Sequence, residues 1–418
     1  MNVPLSIPLA MLAMVSAPSL ASDNPVTVSG RIQAGLIAND NDSKNVFPTG
    51  FLNFDEGANL NRAEVLIEKK PVTPIKPRIG PFPGPKPASA NWGFEVDLRY
   101  GRDAALTFGL DDELDINDGH KNLLLIPQWF ATGYLPWGNG VAWIAGSWFT
   151  SVGYEIGAPV DPPSGFYSHS YAFTYAPTKH VGLLTSARLP QKKGAGMATL
   201  SVGIVQGWNN LQDNNDDKSI IFDWRWRSPD FRTWIDFENI IGNEQTDNTH
   251  SEQTRPFNAI SSHNEKLLRR FHSLTVTHRF SPTNRIAFNM VYGFQEGGDV
   301  IAAKRNPPGF LIVKDSAWYG ANFNLYHQLD KHLQAGLRLD WLTDAEGAHA
   351  LLPAGDYYGI TANLSWWQGK QLRIRPELRY DWYQGSGKPF GGKVPAIFFG
   401  ETDSQWVASI DATWFLSP

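Results

Sequence analysis

The sequence contains no cysteine in its 418 residues. Disulfides and thiolate metal sites are therefore excluded. Charge is also scarce. Only 18% of residues are charged and the net charge is −5, too weak for electrostatic binding of nucleic acid. Beyond residue 21 no run of about 18 unbroken apolar residues occurs, so no transmembrane helix is expected. HExxH, GxSxG and GxxxxGK[ST] are all missing. The 10 histidines do not recur at metal-ligand spacing. These absences leave no enzyme constellation, no metal site and no implied cofactor.

What is abundant points elsewhere. The chain has 16 Trp, 13 Tyr and 24 Phe, with 38 Gly and 29 Pro. Aromatics with many turn-formers favour β architecture. The first 21 residues are apolar and rich in small side chains, ending Ser19-Leu20-Ala21. They read as a secretory signal peptide over 1–21 cleaved after Ala21, although Pro4 and Pro8 interrupt it and no basic residue opens it.

Residues 22–418 repeat one unit, a run of alternating polarity followed by a break. QLRIRPELRYDW (371–382) is the sharpest case. Arg373, Arg375, Glu377, Arg379 and Asp381 occupy every second position, with apolar residues between them. Successive strand side chains leave opposite faces, so one face is wholly charged and the other apolar. About 16 such strands are expected, near 26–38, 58–69, 91–100, 122–133, 140–149, 178–188, 197–207 and 219–228, then 231–240, 267–280, 285–295, 316–328, 333–342, 356–367, 371–382 and 405–417. Short turns such as 137–140 and 281–284 alternate with long connections such as 150–177 and 383–404. Alternating short and long connections predict an all-β fold: a transmembrane antiparallel up-and-down β-barrel, with short periplasmic turns and long outer loops. One turn departs from the rule. Residues 69–90 form a proline-rich excursion on the periplasmic side.

Aromatic spacing agrees with residence in a membrane. Trp406 and Trp414 lie eight positions apart on one face, as do Tyr358 and Trp366. At ~3.3 Å rise and ~40° tilt that spans about 20 Å, close to an apolar band edged by aromatic girdles.

The opposite faces supply the candidate pore-lining residues: Glu95, Asp97, Arg99, Arg225, Arg227, Arg338, Asp340, Arg373, Arg375, Glu377, Arg379 and Asp381. Arg232 also falls inward in this register. Acids and bases nearly balance, which predicts a water-filled, weakly selective wall rather than a ring of one sign. The 150–177 stretch mixes aromatic and polar residues and is a possible constriction loop, with Tyr154, Glu155, Tyr167 and His169 as its candidates.

Several segments in order resemble the OmpL-like family of β-barrel porins of the bacterial outer membrane. They are WGFEVDLRYGRDA (92–104), SVGYEIGAP with GFYSHSYAFTYAPTKHVGLL (151–184), IVQGWNNLQDNND (204–216), AWYGANFNLYHQLDKHLQAGLRLDWLTDAEG (317–347) and LRIRPELRYDWYQGSGKPF (372–390). The resemblance implies a pore-forming outer-membrane barrel and supplies no substrate and no catalytic residue. The implied partners are outer-membrane lipid, lipopolysaccharide, the barrel-assembly machinery, small hydrophilic solutes and further copies of the chain. The chain ends in Pro418, so a terminal aromatic assembly signal would shift inward to Phe415.

Three remaining motifs have blander readings. In YSHSY (167–171) neighbouring side chains point apart, so Ser168, His169 and Ser170 do not form a nucleophile–base pair on an extended chain. DDELDINDGH (111–120) misses the EF-hand spacing and reads, like NNLQDNNDD (209–217), as a solvated acidic loop. The expected function is passive diffusion of small hydrophilic solutes and ions. The alternative is a non-conducting barrel that displays its loops for adhesion or envelope tethering.

Overall fold

Sixteen stretches of alternating polarity become sixteen strands in the computed structural model. It describes residues 24–41, 56–72, 88–106, 122–155, 165–190, 192–211, 213, 215–244, 267–297, 315–348, 353–391 and 400–416. The expected signal peptide, most of the proline-rich excursion and DDELDINDGH lie outside these residues. The strands are β1 (Val26–Asn39), β2 (Gly57–Lys69), β3 (Asn91–Gly101), β4 (Leu123–Leu135), β5 (Val141–Phe149), β6 (Lys179–Arg188), β7 (Met197–Val205) and β8 (Ser219–Arg227). The second half adds β9 (Thr233–Asn243), β10 (Leu268–Arg279), β11 (Asn284–Gln295), β12 (Ser316–Gln328), β13 (Leu333–Asp344), β14 (Gly355–Gln368), β15 (Leu372–Gly385) and β16 (Ser404–Leu416). Each pairs antiparallel with its chain neighbours, and β1 pairs with β16 from Gly30↔Leu416 to Asn39↔Val407. The barrel is therefore closed and leaves no unpaired edge, as a strand structure in lipid requires.

The strands run from 9 to 14 residues. At ~3.3 Å rise and ~40° tilt this is roughly 23–35 Å, enough to cross an apolar band of roughly 25 Å. Alternation sets the two faces. Ile32, Leu36, Leu98, Val202, Ile204, Phe222, Phe237, Met290, Leu339, Ile360, Leu378 and Ile410 are exposed on the outside. Asp97, Arg99, Asp223, Arg225, Asn322, Arg338, Arg375, Arg379 and Asp411 are buried inside. A soluble protein could not leave so continuous an apolar belt in water. Aromatic pairs reinforce it: Tyr358 stacks on Trp382 at 5.1 Å, and Tyr380 lies tilted against Trp406 at 4.7 Å.

Pro376 sits in β15 and faces outward. It pairs with Ile410 of β16 without interruption. On its other side the ladder to β14 stops at Asn363↔Glu377 and resumes at Trp366↔Ile374. The missing proline donor is thus absorbed by a local break toward β14, two residues wide.

Long connections gather at one end of the barrel, here the loop end, and short turns at the other, the turn end. One position departs from the sequence register. Arg232 is not in the lumen. It is exposed in the β8–β9 turn, with its guanidinium 3.8 Å from Asp230, because the strand does not begin until Thr233.

Candidate functional site

All twelve candidate pore-lining residues point into the barrel. What they meet there depends on the connection between β5 and β6. Its described residues, 150–155 and 165–178, lie inside the barrel rather than above it. Phe166, Tyr167, Ser168, His169, Ser170 and Tyr171 are all buried. A single helical turn, α1 (Tyr171–Thr174), completes this inward-folded loop.

The loop is held at both of its sides. At its start, Ser151 Oγ donates to Asp223 on β8 at 3.0 Å, and the Gly153 amide donates to Glu238 on β9 at 2.8 Å. Across the lumen, β13 and β15 grip its main chain. Arg338 donates to the Ser168 carbonyl at 2.7 Å and to the Ser168 hydroxyl at 2.8 Å. Arg375 donates to the Phe166 carbonyl at 2.8 Å, and Arg379 to the His169 carbonyl at 2.6 Å. Glu377 accepts from the Tyr167 and Ser168 amides at 2.8 and 3.1 Å. Asp381 accepts from the Tyr171 hydroxyl at 2.7 Å. The alternation of Arg375, Glu377, Arg379 and Asp381 thus presents donors and acceptors in the order an extended loop needs.

Carboxylates neutralise the gripping arginines. Arg338 pairs with Glu155 at 3.1 Å and Asp340 at 2.9 Å. Arg375 pairs with Asp411 at 2.8 Å and Arg379 with Asp381 at 2.7 Å. Burial alone would raise the Glu155 carboxyl. Arg338, His169 and hydrogen bonding from Ser170 outweigh it and hold the group below the usual carboxylate range. His169 stacks on Phe173 at 4.0 Å between ring centroids, and neither ring nitrogen has a hydrogen-bond partner among the described residues. Burial lowers its pKa to about 4, against the pull of Glu155, so the imidazole is neutral near pH 7. Ser168 hydrogen-bonds arginines rather than His169, which leaves no nucleophile–base pair.

Two wall glycines make the seat. A Cβ on Gly35 would overlap the Tyr167 hydroxyl, and one on Gly336 would come within 3.0 Å of the Phe166 ring. Neither was singled out from the sequence. A glycine on the inner face of a strand was the available signal, because it marks close approach of another chain segment. Tyr167 is anchored further by Asn61 of β2 at 2.6 Å, and Tyr154 meets Tyr326 of β12 at 3.2 Å.

A second inward fold lies against β2–β4. A 3₁₀ turn, Arg102–Leu106, places Asp103 within 2.9 Å of Arg62. Arg62 and Arg99 share Glu64, and Arg99 also pairs with Asp97. Arg225 on β8 lies 3.2 Å from Asp223 and 3.3 Å from Glu238. Near the turn end Arg227 covers the Trp234 ring at 3.8 Å, and Arg373 lies between Trp367 and Phe415. Glu95 accepts from Gln128 at 3.0 Å. Nearer the loop end the interior turns aromatic: Trp208 meets Phe271 and Trp318 edge-on, and Tyr171 lies against Tyr357. Among the described residues no group of three or more acidic or histidine side chains could hold a metal ion.

Comparison with known proteins agrees with this architecture. A family model described as "Putative beta-barrel porin-2, OmpL-like" matches residues 25–415. No curated protein sequence matches the chain. Among solved structures, the anion-selective porin from Comamonas acidovorans superposes with a TM-score of 0.55 at 10% identity, covering 94% of this chain and 100% of that one. The trimer form of OmpT, an outer membrane protein of Vibrio cholerae, gives 0.52 at 10% identity, covering 94% and 99%. Salmonella typhi OmpF gives 0.50 at 9% identity, covering 94% and 98%. A closed sixteen-strand barrel, polar inside and apolar outside, and a family match over nearly the whole chain lead to one conclusion: the chain belongs to the OmpL-like β-barrel porin family of the outer membrane.

Proposed function

We propose that the protein passes small hydrophilic solutes and ions by passive diffusion, through a lumen narrowed by the inward-folded residues 150–155 and 165–178 of the β5–β6 connection. The observation that carries this reading is the seat itself. A strand wall of alternating Arg and carboxylate grips the loop main chain at one side of the lumen. Buried ion pairs and hydrogen bonds of that number fix a segment firmly. On this reading Arg338, Arg375 and Arg379 shape the passage and do not touch the solute. Solutes meet the remaining polar wall, including Arg227, Glu95 and Arg285. The loop end faces the outside and the turn end the periplasm. Assembly as a homo-oligomer is proposed from the trimer form of the Vibrio cholerae relative.

One observation favours a second reading. The gripping arginines are almost wholly buried, so at their level the wall meets protein rather than water. A non-conducting barrel displaying its loops would also look like this. Purified protein lacking residues 1–21, added to a planar bilayer, separates the two. Stepwise conductance supports the pore, and binding to cells or envelope polymers without conductance supports the scaffold.

A further inference from the structure

The lumen charges nearly balance in total, but they do not balance by depth. At the turn end the inward positions of the β6–β11 arc carry Arg188 (β6), Arg227 (β8), Arg279 (β10) and Arg285 (β11), with β7 and β9 between the first three. All four are at least partly exposed. Arg279 and Arg285 sit directly opposite each other in the β10–β11 register, a like-charge pairing that costs stability unless something offsets it. Asp236, one step deeper, takes Trp234 as a donor, lies 3.8 Å from Arg225 and also acts on Arg227, so one carboxylate answers for several cations of this wall. Across the mouth Glu68 on β2 and Glu95 on β3 lie opposite each other in register, with Glu68 paired to Lys70 at 2.8 Å and Glu95 partly exposed. The turns beside this mouth continue the sign: Lys70, Lys192, Lys193, Arg232, Lys331 and Lys370 against Asp230 and Asp330.

The loop end is the reverse. Asp40, Asp216, Asp315, Glu346, Glu401 and Asp403 are exposed there. Of the described cations at that end, Arg102 and Lys179 are buried, Arg269 and Arg270 at the start of β10 are half-buried, and Lys218 and Lys388 are exposed, Lys218 being paired with Asp213. Among the described residues the two mouths thus differ in sign, within a chain whose net charge is only −5.

The geometry points to a polarised pore, in which the β6–β11 arginine wall is an anion filter at the turn end, in series with an acidic, cation-favouring mouth at the loop end. This rests on the pore reading above. Fixed charge of one sign enriches its counter-ion. When the loop side is positive, cations enter through the acidic mouth and anions through the basic mouth. Both accumulate between the two, and current is high. With the opposite polarity both are drawn out of the middle and current falls. Small organic anions such as carboxylates concentrate at the turn end for the same reason.

The test is current against voltage in symmetric KCl, using purified protein without residues 1–21. Because the chain has no cysteine, Lys192→Cys in the exposed β6–β7 turn reports orientation through a bulky thiol reagent added to one chamber. At ~0.1 M KCl, where the Debye length is about 10 Å, we expect about twofold more current with the loop side positive. At ~1 M, where it is about 3 Å, the asymmetry collapses. The triple variant Arg188→Gln, Arg227→Gln, Arg285→Gln loses the asymmetry and raises the potassium-to-chloride permeability ratio about threefold. Symmetric current at low salt, or a triple variant with unaltered selectivity, overturns the inference and leaves the pore standing. No current at all overturns the pore reading, and the inference with it.

Discussion

Arg338 and His169 show how single side chains govern the loop. Arg338 is fully buried and answers Glu155, Asp340, two loop carbonyls and the Ser168 hydroxyl. Removing one partner of a buried ion pair costs about 3–5 kcal/mol, because the other charge is left unmet. Arg338→Met strands Glu155 and Asp340 and frees the loop. We expect single-channel current to become noisier and larger, while Asn139→Ala, in the exposed β4–β5 turn, changes neither. His169 supplies a pH dependence whose sign follows from its environment. Its pKa is about 4 when the loop is seated, against 6.5 for the ordinary imidazole. The released loop therefore binds the proton first. Acidification from pH 6.5 toward 4 favours release, by up to roughly 3 kcal/mol. Glu155 acts in the same direction lower down. Its seated carboxyl is held below the ordinary range, so its contribution is present above about pH 4.5 and is lost as pH falls through the lowered value. Hydrogen-exchange protection of the Tyr167 and Ser168 amides, corrected for intrinsic rate, should drop about a hundredfold between pH 7 and pH 4. His169→Phe should remove most of that drop. Equal pH dependence in both proteins would show that His169 does not control the seat.

The inward loop is the element on which the functional reading turns. Its anchors come from β1, β2, β8, β9 and β12–β15, yet the β-strand ladders are complete without it. Deleting Gly165–Thr174 should leave a folded, heat-modifiable barrel and increase single-channel conductance severalfold. Unchanged conductance would show that the loop does not narrow the passage. Gly35→Leu should act as a milder version, since any side chain there displaces Tyr167. At this scale the sequence was unevenly legible. Period-two alternation names strands and faces, because a one-residue slip would invert every side chain. That is why QLRIRPELRYDW was readable as a wall. The partner of that wall was not readable. Glu377 meets Tyr167 across 210 positions of chain, and no local pattern encodes a contact so distant. Arginine placed inward therefore looked like a water-facing lining, whereas Arg375 and Arg379 end on loop carbonyls. The glycines that admit Tyr167 and Phe166 were hidden for the same reason.

For the whole molecule, closure and two-faced strands account for membrane residence without any long apolar helix. The apolar belt satisfies lipid, and buried ion pairs set Arg62 and Arg99 against Glu64, Asp97 and Asp103, and Arg338 against Glu155 and Asp340. The same division into faces leaves charge free to sort by depth, acidic at one mouth and basic at the other. The proposed function of this arrangement is to let hydrophilic solutes cross. Single-channel recording of the purified, correctly folded barrel in planar bilayers tests that claim most directly. Discrete, stepwise conductance that grows when Gly165–Thr174 is removed is the expected result. A folded barrel that never conducts, with or without that segment, would contradict it.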